Sequence, residues 1–237
     1  MSSEPDQPTA AALEHAADRC LLRVDAERNR RLIVEAARAV FAERGLDVPL
    51  EAIAQRAGVG IATLYRRFPT REDLIAATFE HKMAEYAAAG AAALQAADGW
   101  SGFRGYVERV CAMQAADCGL QDLLTQTFPS AKALEDLRAL AYERSAAVVR
   151  RAQAEGTLRA DFVPEDLVLL LMANAGVVQG TREAAPGAWR RFVALLLEAC
   201  RAERGQPLPP PPTHDQVHAA LRRLAAPSSR RDGRVPS

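Results

Sequence analysis

The chain has 237 residues, 49% of them hydrophobic and 25% charged, with a formal net charge of zero. It is long enough to bury a sizeable core, and its low aromatic content and plentiful alanine favour close-packed helices over sheets. The opening MSSEPDQPTA is unlike a secretory leader, no run reaches the length of a membrane span and the four cysteines form no CxxC pair. A reduced, cytoplasmic setting without membrane association is therefore expected, and whole-chain charge says nothing for or against nucleic acid.

Residues 1–24 begin small and polar, with Pro5 and Pro8, and are expected to form a disordered arm. From Arg28 to Arg44 the residues Leu32, Ile33, Ala36, Val40 and Phe41 recur at helical spacing, and Gly45 closes the helix. A second, short helix follows Pro49, with Leu50, Ile53, Ala54 and Ala57 on one face and Gly58 at its end. A third runs from about Gly60 to Phe68 and is stopped by Pro69. Thr70, with Asp73 three residues on, starts a fourth that reaches about Ala97.

Further helices are predicted at Trp100–Cys118, Gly119–Phe128, Ser130–Glu155, Pro164–Thr181 and Pro186–Arg204, with GTLRADFVP as a turn-rich connector. After Gly205, PLPPPP opens a Pro-rich and basic tail, residues 205–237, expected to be disordered apart from a short helix at His214–Leu224. No strand alternation and no internal repeat is visible, so the fold class is all-α.

The second helix, the Gly58-Val59-Gly60 turn and the third helix have the spacing of a helix-turn-helix. Leu64 and Phe68 form its inner face, with Val59 just before it; Ile61, Ala62, Thr63, Tyr65, Arg66 and Arg67 remain on the other. Small residues at a helix start allow close approach to base edges, and hydroxyls and arginines hold phosphates and read guanines. Ile61 suits a thymine methyl or an extension of the apolar face. Ten arginines against six acids between Arg23 and Arg71 leave this segment at about +4. Thr70 and Arg71 open the fourth helix with backbone N–H groups, a hydroxyl and a guanidinium, a combination suited to phosphate. On spacing and charge alone, a scaffold helix pair remains an equal reading.

The stretch IAQRAGVGIATLYRRFPTREDL, with RLIVEAARAVFAERG before it, resembles the TetR family of bacterial transcriptional repressors over about Arg28 to Phe79. The resemblance implies phosphate and backbone contacts for Thr63, Tyr65, Arg67 and Arg71, with Thr70 capping, and base-proximal positions for Ile61, Ala62 and Arg66. Arg28 or Arg31 would assist from the arm. Gly60 stands where many members carry a capping serine, Ala62 where glycine is frequent and Arg67 where His or Tyr is common. Pro49 and Leu50 replace a threonine-rich start.

The resemblance divides the chain into a DNA-binding domain, residues 25–70, and a helical ligand-binding and dimerisation domain, residues 71–204. GLQDLL, EGTLRADFVPEDL and APGAWRRFVALLLEACR are similar to SbtR-like C-terminal domains. Two apolar stripes, Leu167, Leu170, Leu171, Asn174, Val177 and Val178, then Phe192, Leu195, Leu196 and Ala199, suit either core or a four-helix homodimer interface. A pocket for a small apolar effector is expected after the fourth helix, with Met83, Tyr86, Phe103, Tyr106, Val107, Val110, Met113, Phe128 and Met172 as lining. Gln114, Gln126, Asn174 and Gln179 are its candidate polar orienters. Each of these also suits ordinary core.

Cys111 and Cys118 are expected on one face of one helix, about 10 Å apart, too far for a disulfide. His214 and His218 lack a third ligand, so no metal is expected. Arg230, Arg231 and Arg234 in the tail add nonspecific attraction to DNA or merely solvate it. No catalytic set and no cofactor motif is present. The expected function is a non-enzymatic, ligand-responsive repressor that binds a palindromic double-stranded operator as a homodimer and is released by a small apolar molecule. An activator of the same fold, or a helical small-molecule-binding protein without sequence-specific DNA binding, are the alternatives.

Overall fold

The computed structural model describes residues 10–126, 128, 130–203 and 206–225, and side chains from residue 24 to 221 within those ranges. Among them ten helices carry the fold: α1 Ala10–Arg44, α2 Leu50–Ala57, α3 Ile61–Arg67, α4 Arg71–Ala93, α5 Gly99–Ala116, α6 Cys118–Thr125, α7 Lys132–Ala154, α8 Pro164–Thr181, α9 Ala188–Ala199 and α10 His214–Ala225. The only pairing of β type among the described residues is an isolated antiparallel bridge between Leu158 and Arg201. No helix among them is long and apolar enough to cross a membrane.

The first three helices pack around Ile33, Ala37 and Phe41 of α1, Ile53 of α2 and Leu64 of α3, all buried. Gly58 ends α2 in the left-handed region at φ 67°. Its N–H donates to Gln55 O and the Val59 N–H to Ala54 O, each at 3.1 Å, a Schellman closure that a side chain would strain. Gly60 then starts α3 directly, so the two helices meet at a three-residue turn.

α4 and α7 run together, and α5 packs against both, through small residues that let backbones approach. The core between them is aromatic: Phe103 meets Phe162 edge-on at 5.3 Å between centroids, and Trp100 at 5.9 Å. α6 crosses from this body to the first three helices. At Gly119 a Cβ would lie 2.5 Å from Phe79 Cζ and 2.9 Å from Phe41 Cβ, so α6 reaches α1 and α4 only because this residue is glycine.

Several expectations are corrected. Residues 10–24 are helical, not a disordered arm: AAALEHAADRCLLRV is rich in strong helix formers and adds about four turns to α1. Cys111 and Cys118 do not share a helix, because Asp117 breaks the chain direction and caps α6 with its carboxylate on Leu120 N–H at 3.0 Å. The short helix expected in the tail is present as α10, and it docks on α8 by burying Val217 and Leu221. The α8 stripe of Leu167, Leu170, Leu171, Asn174 and Val178 is buried within the chain itself. Residues 1–9 of the expected arm, the side chain of Cys20, and Arg230, Arg231 and Arg234 lie outside the described residues.

Gly119→Ala should lower stability by about 1–3 kcal/mol by overpacking against Phe79 and Phe41, read as a shift of the urea midpoint without a change in slope.

Candidate nucleic-acid interface and ligand cavity

α3 is anchored by Leu64 and capped at its end by Phe68, both buried, with the Phe68 N–H on Leu64 O at 2.8 Å. Arg30 of α1 lies 5.6 Å over the Phe68 ring and holds that end against the first helix. This anchoring turns the rest of α3 outward. Gly60, Ala62, Arg66, Arg67 and Thr70 are exposed, and Tyr65 is 47% exposed, unusual for so large an aromatic. Thr63 and Arg71 are half-buried, and Ile61 packs against the core, which favours the apolar-face reading of that residue.

Arg66 Nη2 donates to Thr63 Oγ1 at 2.9 Å, so hydroxyl and guanidinium are held side by side on one face. Arg67, Arg28 and Arg31 are exposed and make no hydrogen bond or ion pair among the described residues. The start of α4 differs from the expected open phosphate cradle. Asp73 Oδ2 accepts the Thr70 N–H at 3.0 Å and the Thr70 hydroxyl at 2.7 Å, and Thr70 Oγ1 accepts the Asp73 N–H at 3.1 Å. The helix start is thus closed by its own capping box. Arg71 Nη1 donates to Leu46 O at 2.7 Å, tying α4 to the loop between α1 and α2.

The same Leu46 is held from the other side. Its N–H donates to Asp122 Oδ2 of α6 at 2.8 Å. Burial pushes the Asp122 carboxyl above its usual range, and the Leu46 N–H opposes that. Nearby, Lys82 Nζ lies 2.6 Å from the buried Asp117 carboxylate at the start of α6, and Ser130 bonds Glu72 Oε2 through its N–H at 3.0 Å.

A cavity of about 340 Å³ opens between α7, α8 and α10, with Tyr86 of α4 and Leu124 of α6 at its sides. Leu167, Leu171, Val217 and Leu221 give it apolar walls; Glu135, Arg138, Tyr142, Glu143, Glu165, His214 and His218 give it polar ones. Of the residues expected to line a pocket, Tyr86 does so. Tyr106 is buried beside it, at 6.4 Å between ring centroids, and burial raises both hydroxyl pKa values. Met83, Phe103, Val107, Val110 and Phe128 are buried core, Met113, Gln126 and Met172 are half-buried and Gln179 is exposed. Asn174 and Gln114 are fully buried and bond one another, Nδ2 to Oε1 at 2.9 Å. Phe103 packs on Phe162 in the core, and the cavity is bordered by Tyr86 of α4 together with α7, α8 and α10.

The residues missed were those on α7 and α10. The signal for α10 was Val217 and Leu221 at i, i+4 between polar residues, an amphipathic face that required a partner. Among the described residues, no group of three or more His, Cys, Asp or Glu is placed to hold a metal ion.

Burial pushes the Cys111 thiol up to about 12 and the Cys200 thiol up to about 11. Both therefore stay protonated at pH 8 and react slowly. Half-buried Cys118, beside Arg182 and 3.6 Å from Glu43 O, should be alkylated before Cys111 when native protein is treated with iodoacetamide and its peptides are weighed.

Comparison with known proteins follows the same division of the chain. Residues 33–78 match the model for bacterial regulatory proteins of the tetR family, and residues 101–202 match that of the transcriptional regulator SbtR-like C-terminal domain. Neither describes an enzyme. A TetR transcriptional regulator from Streptomyces coelicolor is 31% identical over 74% of this chain and 99% of its own, with a TM-score of 0.48. A TetR-family regulator from Agrobacterium tumefaciens is 17% identical over 75% of this chain and 100% of its own, at a TM-score of 0.58. The regulator FadR from Bacillus subtilis, solved in complex with stearoyl-CoA, is 17% identical over 70% of this chain and 96% of its own, at 0.54. The comparison with curated proteins found no match. Two family matches on adjoining parts of one all-helical chain, in the order DNA-reading helices and then C-terminal body, make this protein a member of the TetR family of bacterial transcriptional regulators with an SbtR-like C-terminal domain.

Proposed function

We propose that this regulator binds a palindromic operator as a homodimer, acts as a repressor and is released when a small molecule enters the C-terminal cavity. Residues 25–70 are the DNA-reading unit, and residues 71–204 together with α10 form the sensing and dimerising unit. The observation that carries the reading is α3 itself: a helix pinned by Leu64 and Phe68 that turns Tyr65, Arg66 and Arg67 to solvent without ion pairs. In the proposed complex Thr63, Tyr65, Arg67 and Arg28 hold backbone phosphates, and Ala62 and Arg66 approach bases from the major groove, with Ile61 buttressing them. Gly60 admits the backbone closely. Thr70 and Arg71 support the interface by fixing the start of α4, through the Thr70–Asp73 capping box and the bond from Arg71 Nη1 to Leu46 O.

Dimerisation is supported by the outer faces of α8 and α9. Leu169 is 42% and Leu195 61% exposed. Ala173, Gly176 and Gly180 continue the Leu169 face, and a Cβ on either glycine would meet nothing within 4 Å, leaving room for a helix of a second copy to pack closely. Two recognition helices related by a two-fold axis would enter major grooves roughly 34–36 Å apart.

Release is supported by α6. Leu124 lines the cavity and Asp122, two residues earlier, bonds the Leu46 N–H at the foot of the DNA-reading unit. A molecule that favours one position of α6 over another shifts the operator equilibrium by that difference in affinity.

Selection from a random duplex pool by purified protein should enrich one palindrome. Arg67→Ala should weaken all duplexes alike and reduce the log–log salt slope by about 1. Recovery of no preferred sequence would leave α3 as scaffold.

A further inference from the structure

The cavity differs from a purely apolar effector pocket in its charge. Three carboxylates, Glu135, Glu143 and Glu165, border it, with one guanidinium, Arg138. Arg138 is already engaged: its Nη2 donates to Leu123 O at 2.7 Å and its Nε lies 3.5 Å from Glu135 Oε1. Glu135 also accepts the Phe128 N–H at 3.0 Å. Glu165 accepts the Tyr142 hydroxyl at 2.8 Å and lies 3.4 Å from His214 Nδ1. Glu143 alone among these carboxylates has no hydrogen bond or ion pair among the described residues, and it is exposed, so it stands at the mouth. Behind it are the Tyr142 and Tyr86 side chains, then Leu167, Leu171, Val217 and Leu221.

The fourth wall lies beyond the region matched by the C-terminal family. α10 begins at His214, beyond residue 202 where the C-terminal family match ends, and is joined to the body by a proline run. It is docked by Val217 and Leu221, by the His214 contact with Glu165 and by an edge contact of His214 on Tyr142 at 5.3 Å.

We propose that α10 completes a binding site for an amphipathic organic cation: a small apolar body between α8 and α10, carrying one protonated amine that meets the Glu143 carboxylate. The inference rests on the reading of this cavity as the effector site. An anionic ligand would meet an unpaired carboxylate at the entrance and two more within. An ammonium group there gains the Glu143 charge and the faces of aromatic rings.

Three probes with one body and different heads test it: 4-phenylbutylamine, 4-phenylbutan-1-ol and 4-phenylbutyrate, titrated calorimetrically into the full-length protein. The amine should bind tightest, roughly tenfold over the acid. Glu143→Gln, an exposed change that leaves the core untouched, should weaken the amine about fivefold and leave the alcohol unchanged. Leu221→Ala should weaken all three in the same order. Equal or tighter binding of the acid, an equal loss for all three in Glu143→Gln, or binding of none at millimolar concentration would overturn the proposal. Operator release is read separately: the same order of affinities without release, or without any preferred DNA sequence, supports the cation site and overturns only its regulatory role.

Discussion

The backbone of one residue ties the two parts of this protein together. The Leu46 N–H is taken by Asp122 of α6 and the Leu46 C=O by Arg71 of α4. A part-buried backbone N–H or C=O costs free energy unless it is bonded. Here neither partner comes from the neighbours of Leu46 in sequence. The short loop between α1 and α2 is therefore fixed against two helices of the C-terminal body at once. α2 and α3 follow that loop, so these two bonds join the buried Leu64 and Phe68 in setting the direction in which Tyr65, Arg66 and Arg67 face.

The packing around this residue explains why the contact is tight. Gly119 lets α6 lie on Phe41 and Phe79, whose rings are 5.9 Å apart, and Asp117 caps α6 while its other oxygen meets Lys82 of α4. α6 is only eight residues long, yet it touches α1, α5 and α8 and contributes Leu124 to the cavity. In the proposed mechanism its shortness matters, because a displacement at Leu124 has few side chains in which to dissipate before Asp122.

Much of this was legible in the sequence, for local reasons. Gly58, Pro69 and the Thr70–Asp73 pair punctuate the chain so sharply that α2, α3 and the start of α4 could be placed from them. Pro164 and the following apolar run set the limits of α8 as Pro164–Thr181, as the structure has them. What was hidden depended on distant partners. The segment after PLPPPP reads as tail because only Val217 and Leu221 ask for burial, and the face of α8 that receives them is some fifty residues earlier. The cavity takes in Tyr86 of α4, one of the expected lining residues, but its other walls come from α6, α7, α8 and α10, while Phe162, in a connector, packs against Phe103 in the core. Arg71 reads as a phosphate ligand by its position, and the bond from its Nη1 to Leu46 O is one that no spacing rule reveals.

If the grip on Leu46 helps to place the DNA-reading helices, hydrogen–deuterium exchange of the Asp122→Ala variant will register its loss. Exchange should become faster across residues 45–68 with α7 and α8 unchanged. Unchanged exchange in α2 and α3, or an equal increase along the whole chain, would contradict it.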